Sequence, residues 1–395
     1  MEREQSLKFM HDLLRALVAR KGSDLFITAG FPPAMKVDGK VTPVSQSSLS
    51  PVHTQELARS IMTDKQAAEF EATNECNFAI SPSGIGRFRV NAFVQQGRVG
   101  LVLRTITTTI PKFDDLGLPH VLKDVAMTKR GLVIFVGGTG SGKSTSLAAM
   151  IDYRNERKSG HILTLEDPVE FIFQNKKSIV NQREVGTDTQ TLETALKNAL
   201  RQAPDCILIG EIRDKPTMSM ALAYAQTGHL CLATLHANNS YHAMNRIINF
   251  YPLETRASLL LDLAAALQAV ISLRLVRIKS GARVPAVEIL LNTRNISELI
   301  EKGEISEIKE ALEKSLAPGS QTFEQALFKL FMEGKITQDE ALANADSASN
   351  MLWLINQATA GELSLNGAPT PPAKPAEDKK EGLSGFNDFK INVNA

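Results

Sequence analysis

The sequence has 395 residues, too many for one ordinary core, so two domains are expected. Hydrophobic residues make up 43% and charged residues 22%, and 44 Lys plus Arg nearly balance 43 Asp plus Glu. This balance excludes a global attraction to nucleic acid or an anionic membrane, so any polyanion site must be local.

The opening Met1-Glu2-Arg3-Glu4-Gln5 lacks the apolar core of a signal peptide, and no apolar run approaches a membrane span. A cytoplasmic protein is expected, reaching any membrane only through partners. From Ser6, a cap, the residues Leu7, Met10, Leu13, Leu14, Leu17 and Val18 recur at helical spacing. Strand-like runs follow at 25–28, 34–37, 75–80, 87–94 and 100–106, with Asp38-Gly39 as a hairpin turn. Residues 1–108 therefore read as a small α+β domain.

Pro111, Gly117 and Pro119 punctuate a linker over 109–125. In the second domain, 126–360, buried-strand candidates at 131–136, 161–165, 206–209 and 230–235 alternate with helical patterns. Leu192, Ala195, Leu196, Ala199 and Leu200 form the clearest of these, and 284–291 reads as a later edge or hairpin strand. Such alternation predicts an α/β fold with a mostly parallel sheet and helices on both faces. The tail, 361–395, is rich in Pro, Lys and Glu and is expected to be disordered, although Phe386, Phe389, Ile391 and Val393 restore some apolar content. Cys76, Cys206 and Cys231 are far apart and form no zinc-binding spacing; Cys206 and Cys231, in apolar runs, read as core residues.

The chemistry starts at Gly137-Gly138-Thr139-Gly140-Ser141-Gly142-Lys143-Ser144, which fits GxxxxGK[ST] directly after the apolar run Leu132–Val136. By composition this pattern occurs in about one chain in a hundred of this length. A strand ending in such a loop can wrap backbone N–H groups around phosphate oxygens, and the following helix, with Thr145 in its first turn, points its positive end at the same anion. ATP is the expected ligand, with Lys143 reaching the β- and γ-phosphates and Ser144 ligating Mg²⁺.

A phosphate loop needs acids at neighbouring strand tips. Glu211 leaves the strand 206–209 where it could orient or deprotonate water, and Glu166 ends the strand 161–165 in an acidic patch suited to holding Mg²⁺ through water. His236 follows the strand 230–235 and could sense the γ-phosphate, whereas His229 at the start of that strand is harder to place near it.

The segments GGTGSGKS, TLEDPVEF, ILIGEIRD and TGHLCLATLHANN together resemble the Walker A, Asp box, Walker B and His box of the secretion-type hexameric ATPases, which drive type IV pili, type II secretion and related machines. The likeness runs from Gly22 through Ile300. Val180–Gly186 and Leu200–Asp205 resemble the PilT/PilU family of pilus retraction ATPases, above all its PilU branch, as does the Pro-rich tail. The resemblance implies a RecA-like P-loop NTPase domain preceded by a smaller α+β PAS-like domain. It further implies a homohexamer at the cytoplasmic face of the inner membrane, at the pilus base. The implied partners are a PilT-type paralogue and a PilC-like platform protein of the inner membrane.

The resemblance also implies that Arg89 and Arg104 are the N-terminal-domain arginines that serve the nucleotide of their own or a neighbouring subunit. The chain lacks the four-cysteine zinc element of the assembly ATPases, which favours retraction. Where the PilT pattern has AIRNLI, this chain has Asn295-Ile296-Ser297-Glu298-Leu299-Ile300, so an accessory, PilT-dependent subunit is the alternative. A type II secretion or DNA-translocating motor is a further rival, but no Lys/Arg run supplies a basic pore.

Overall fold

The computed structural model describes residues 3–106 and 109–359. The tail expected over 361–395, with its Phe386, Phe389, Ile391 and Val393, lies outside the described residues.

The expected apolar stripe forms α1 (Arg3–Ala19), burying Met10, Leu13, Leu14 and Leu17. Strands β1 (Asp24–Ile27), β2 (Ala34–Val37) and β3 (Lys40–Pro43) follow, with the β2–β3 hairpin turned by Asp38 and Gly39 at φ of 48° and 80°. Two helices absent from the sequence reading come next, α2 (Pro51–Ile61) and α3 (Asp64–Thr73). Each opens with a capping box, Ser50 with His53 and Thr63 with Gln66. Strands β4 (Glu75–Ile80), β5 (Arg87–Gln95) and β6 (Arg98–Ile106) complete an antiparallel sheet of order β3-β2-β1-β6-β5-β4. On β5 the period of two buries Phe88, Val90 and Ala92 in this domain's core and leaves Arg87 and Arg89 on the other face.

The stretch 109–125 packs onto the second sheet's core. Phe113, Leu118 and Leu122 join the core cluster that holds α5 (Lys143–Arg157), and α4 (Val121–Met127) begins inside it. Arg154 of α5, buried, donates to the carbonyl oxygens of Ala126 and Thr128 at 2.7 and 2.9 Å, tying the end of α4 to α5.

The second sheet contains β7 (Gly131–Val136), β8 (Gly160–Glu166), β9 (Ser178–Glu184), β10 (Cys206–Ile209), β11 (Leu230–Leu235), β12 (Leu267–Arg277) and β13 (Arg283–Leu291). Its order is β13-β12-β7-β11-β10-β8-β9, and every neighbouring pair is parallel except the β12–β13 hairpin. Alternation on β7 sends Leu132, Ile134 and Val136 to one face and Val133 and Phe135 to the other. The first face is covered by α6 (Leu192–Ala199), α7 (Lys215–Gln226), α8 (Ser240–Asn249), α9 (Leu253–Ala266), α10 (Arg294–Lys302) and α11 (Ile308–Glu313). The second is covered by α4 and α5. The last helices, α12 (Phe323–Met332), α13 (Gln338–Asn344) and α14 (Ala348–Thr359), form a smaller core of Phe323, Leu327, Phe328 and Met351 against Val276 and Ala286.

Cys76, Cys206 and Cys231 are free and buried. Burial raises the thiol of Cys206 to about 11 and pushes that of Cys231 higher still. Among the described residues no helix is long and apolar enough to cross a membrane.

Candidate active site

Parallel strands bring their carboxyl ends to one edge of the sheet, where β7, β8, β10 and β11 border a cavity of about 580 Å³. Thr139, Gly140, Lys143 and Ser144 line it from the loop after β7, Glu166 from β8, Glu211 from the end of β10, and His236 from the end of β11. Arg89 reaches the same cavity from the N-terminal domain. Residues more than ninety positions apart in the chain, Thr139 and His236, thus share one wall, because β11 and β10 lie between β7 and β8.

The loop after β7 is shaped by backbone that only glycine adopts freely: φ is 147° at Gly137, 76° at Gly140 and 93° at Gly142. At Gly137 a Cβ would come within 2.5 Å of Ser141 Oγ and 2.6 Å of the Leu273 carbonyl oxygen. Lys143, buried at the start of α5, donates from Nζ to the carbonyl oxygens of Gly137 and Gly138, both at 2.8 Å. Burial lowers its pKa, countered by the charges of Glu211 and Glu170. Gly138 and Ser141 line a second cavity of about 570 Å³ that Thr139 and Gly140 also border, while Gly137, Gly142 and Thr145 line neither.

Glu211 stands beside His236, Oε1 to Nε2 at 3.4 Å, and accepts from Arg213 Nε at 2.8 Å; Arg213 Nη1 also lies 3.5 Å from Asp167. The Gly210 N–H donates to the Leu165 carbonyl oxygen at 2.8 Å, and a Cβ on Gly210 would approach Glu166 Cα to 3.2 Å. Glycine is therefore what lets the two acid-bearing strand ends close on each other.

Glu166 is more deeply set. Burial raises its pKa, opposed by hydrogen bonds from the Thr164 hydroxyl at 2.7 Å, the Gln182 amide at 3.3 Å and the Glu170 N–H at 3.5 Å. Arg89 lies 3.8 Å from Glu170.

Arg104 stays outside the cavity. It sits opposite Arg89 in the β5–β6 register and donates from Nε to Asp24 at 2.8 Å on β1. Burial works to raise the Asp24 carboxyl, but the Ser23 hydroxyl and Arg104 outweigh it and the pKa is lowered. His229 also lies away from the cavity, its ring nitrogen 3.2 Å from the Tyr224 carbonyl oxygen. Arg213, Gln182 and Arg87 also bear on the site, though no motif in the sequence singles them out. Arg87 could have been found from the period of two, which puts it on the same face of β5 as Arg89.

A polyphosphate fits this loop. The buried Lys143 ammonium is served by carbonyl oxygens, Ser141 Oγ is buried without a hydrogen-bond partner among the described residues, and a Cβ at Gly138 or Gly140 would meet nothing within 4 Å. A helix N-terminus with free backbone donors faces the same space.

The family model described as "Type II/IV secretion system protein" matches residues 4–302. The type IV pilus ATPase PilU of Pseudomonas aeruginosa is 54% identical over 344 residues, 87% of this chain and 90% of that protein. The type IV pilus retraction ATPase PilT of the same organism is 41% identical over 85% of this chain and 98% of its own length. A crystal structure of the pilus retraction motor PilT with bound ADP superposes with a TM-score of 0.81 at 39% identity, covering 86% of this chain and 98% of that one. The chain is thus a P-loop ATPase that belongs to the type II/IV secretion system protein family and, within it, to the PilT/PilU branch.

Proposed function

We propose that this chain is a homohexameric ring motor that hydrolyses ATP to power type IV pilus retraction and twitching motility. In this reading a RecA-like domain, 126–360, turns against a PAS-like N-terminal domain, 1–108. The relatives named above support the role, and one observation carries the mechanism: Lys143, Ser144, Glu166, Glu211 and His236 converge on a cavity that Arg89 of the other domain also lines. A site built from both domains makes turnover depend on how the domains are arranged.

Lys143 exchanges the carbonyl oxygens of Gly137 and Gly138 for β- and γ-phosphate oxygens, while the N–H groups of the loop and the start of α5 hold the rest of the polyphosphate. Glu211, oriented by Arg213, takes a proton from the attacking water or aligns it, with His236 beside it at the γ-phosphate. Arg89 spreads the charge of the transferring phosphoryl group. Arg104, outside its own subunit's cavity, serves the nucleotide of a neighbouring subunit.

Among the described residues no group of three or more His, Cys, Asp or Glu could hold a metal ion. The Ser144 hydroxyl and, through water, Glu166 would hold Mg²⁺ beside the substrate's phosphates. Held there, the ion would supply positive charge against the phosphoryl oxygens. The ring works in the cytoplasm at the pilus base, on a PilC-like platform protein of the inner membrane and beside a PilT-type paralogue, with no nucleic acid.

Lys143→Ala should abolish nucleotide binding, whereas Glu211→Ala should bind nucleotide and lose turnover. Undiminished ATPase activity in purified Glu211→Ala protein removes that residue from its role. A second reading, a subunit that acts only beside a PilT-type motor, is favoured by α10, whose exposed turn carries Arg294, Asn295 and Glu298 around the buried Ile296 and Ile300. Pilus retraction in cells holding this chain as their sole retraction ATPase decides against it.

A further inference from the structure

The acid-bearing segment after β8, residues 166–173, takes several of its hydrogen bonds from the edge strand β9. Gln182 uses both ends of its amide: Oε1 accepts from the Phe173 N–H at 2.8 Å, and Nε2 donates to the Phe171 carbonyl oxygen at 2.7 Å and to Glu166 Oε1 at 3.3 Å. Two residues on, Glu184 Oε2 accepts from the Val169 N–H at 3.0 Å, and its Oε1 accepts from the Thr187 hydroxyl at 3.1 Å. The spacing of two puts both side chains on one face of β9.

The N-terminal domain adds one more partner. Arg87 of β5 forms an ion pair with Glu184 across the domain boundary, with side chains only 16% and 5% exposed. The other contact of Arg87, to Ser81 Oγ at 3.4 Å, is weak. A buried carboxylate that loses its cation is left with two neutral donors, and the structure around it opens or admits water.

We propose that Arg87, Glu184 and Gln182 are positioning residues that carry the docking of the N-terminal domain through β9 to the Glu166 segment, so that Glu166 is correctly set only when Arg87 is engaged. This rests on the reading of Glu166 as part of the hydrolytic site. None of the three touches the reacting atoms; Arg87 acts on Glu184, Glu184 on Val169, and Gln182 on Glu166 itself. The i, i+2 pair Arg87 and Arg89 divides the labour on β5, Arg87 holding the segment and Arg89 facing the cavity.

The test uses the full chain, with steady-state ATPase titrations and amide hydrogen exchange over residues 167–173. Arg87→Ala and Glu184→Gln should each lower kcat about tenfold while KM for ATP moves less than about threefold. The double variant should fall within about twofold of the weaker single, as expected for residues acting through one contact. Exchange over 167–173 should quicken in Arg87→Ala although Arg87 touches none of those amides, and Arg87→Lys should recover part of both effects. Wild-type exchange in Arg87→Ala, or additive losses in the double variant, overturns the proposal.

Should either of those variants fail to fold, Gln182→Ala and Arg87→Lys serve instead. Unchanged exchange and kcat in Gln182→Ala overturn the proposal equally. Full turnover in Glu166→Gln would remove the reading of Glu166 and leave the exchange result to stand on its own.

Discussion

Glu288 offers the sharpest test of how the second domain is held together, because a buried acid is placed where only its hydrogen bonds justify it. On β13, and 5% exposed, its Oε1 accepts from the Ser240 N–H at 2.7 Å and from the Ser272 hydroxyl at 2.8 Å. Ser240 opens α8, so the carboxylate also meets the positive end of that helix. Glu288→Ala strands both donors in the interior, at about 1–3 kcal/mol each, and should cost roughly 4 kcal/mol in all. Glu288→Gln keeps an acceptor oxygen for both and should cost less than about 1 kcal/mol.

The pH dependence separates these contributions. Burial raises the Glu288 carboxyl above its ordinary value of 4.5, with the hydrogen bonds from Ser240 and Ser272 opposing it. A raised folded pKa stabilises fully below the unfolded value and loses that stabilisation as pH climbs through the folded value. Relative to the wild type, Glu288→Gln should therefore gain stability as pH rises from 4 upward. Urea unfolding of the full chain at pH 4.5, 6 and 8, followed by far-ultraviolet circular dichroism, reads both effects. A Glu288→Ala protein within about 1 kcal/mol of wild type refutes the hydrogen-bond reasoning. A Gln–wild-type difference that is flat with pH, or slopes the other way, refutes the electrostatic part.

Further outcomes follow from other contacts. Gly137→Ala forces an alanine to φ near 147° with its Cβ against Ser141 and Leu273, a strain of about 1–3 kcal/mol, and should weaken nucleotide binding about tenfold or more by calorimetry. Arg154→Ala leaves the Ala126 and Thr128 carbonyl oxygens without their buried donor and should cost about 2–4 kcal/mol, read as a lower urea midpoint. At pH 8, iodoacetamide should leave Cys76, Cys206 and Cys231 unmodified in the native protein and alkylate all three in urea, since each thiol is buried and raised in pKa; mass spectrometry counts the adducts.

What the chain spells locally is what could be read from it. The glycine pattern at 137–142, the apolar runs at 131–136, 206–209 and 230–235, and the acids and histidine that follow them are short-range signals. A parallel sheet must bring such strand ends to one edge. Strand β12 is not legible locally, because Leu259–Ala266 runs into Leu267–Arg277 with no Gly or Pro between them, and a mostly apolar run does not distinguish a buried helix from a buried strand. Nor is β9 legible, because Ser178–Glu184 is too polar for a core strand. Those polar side chains are the ones that hold Glu166 and the N-terminal domain.

Only the tertiary structure decided that Arg89 reaches the cavity while Arg104, its neighbour across the β5–β6 ladder, turns to Asp24, and that Arg87 pairs with the buried Glu184. Local sequence sets which face of a strand a side chain takes. What that face meets depends on how two domains dock, through contacts between residues about a hundred positions apart.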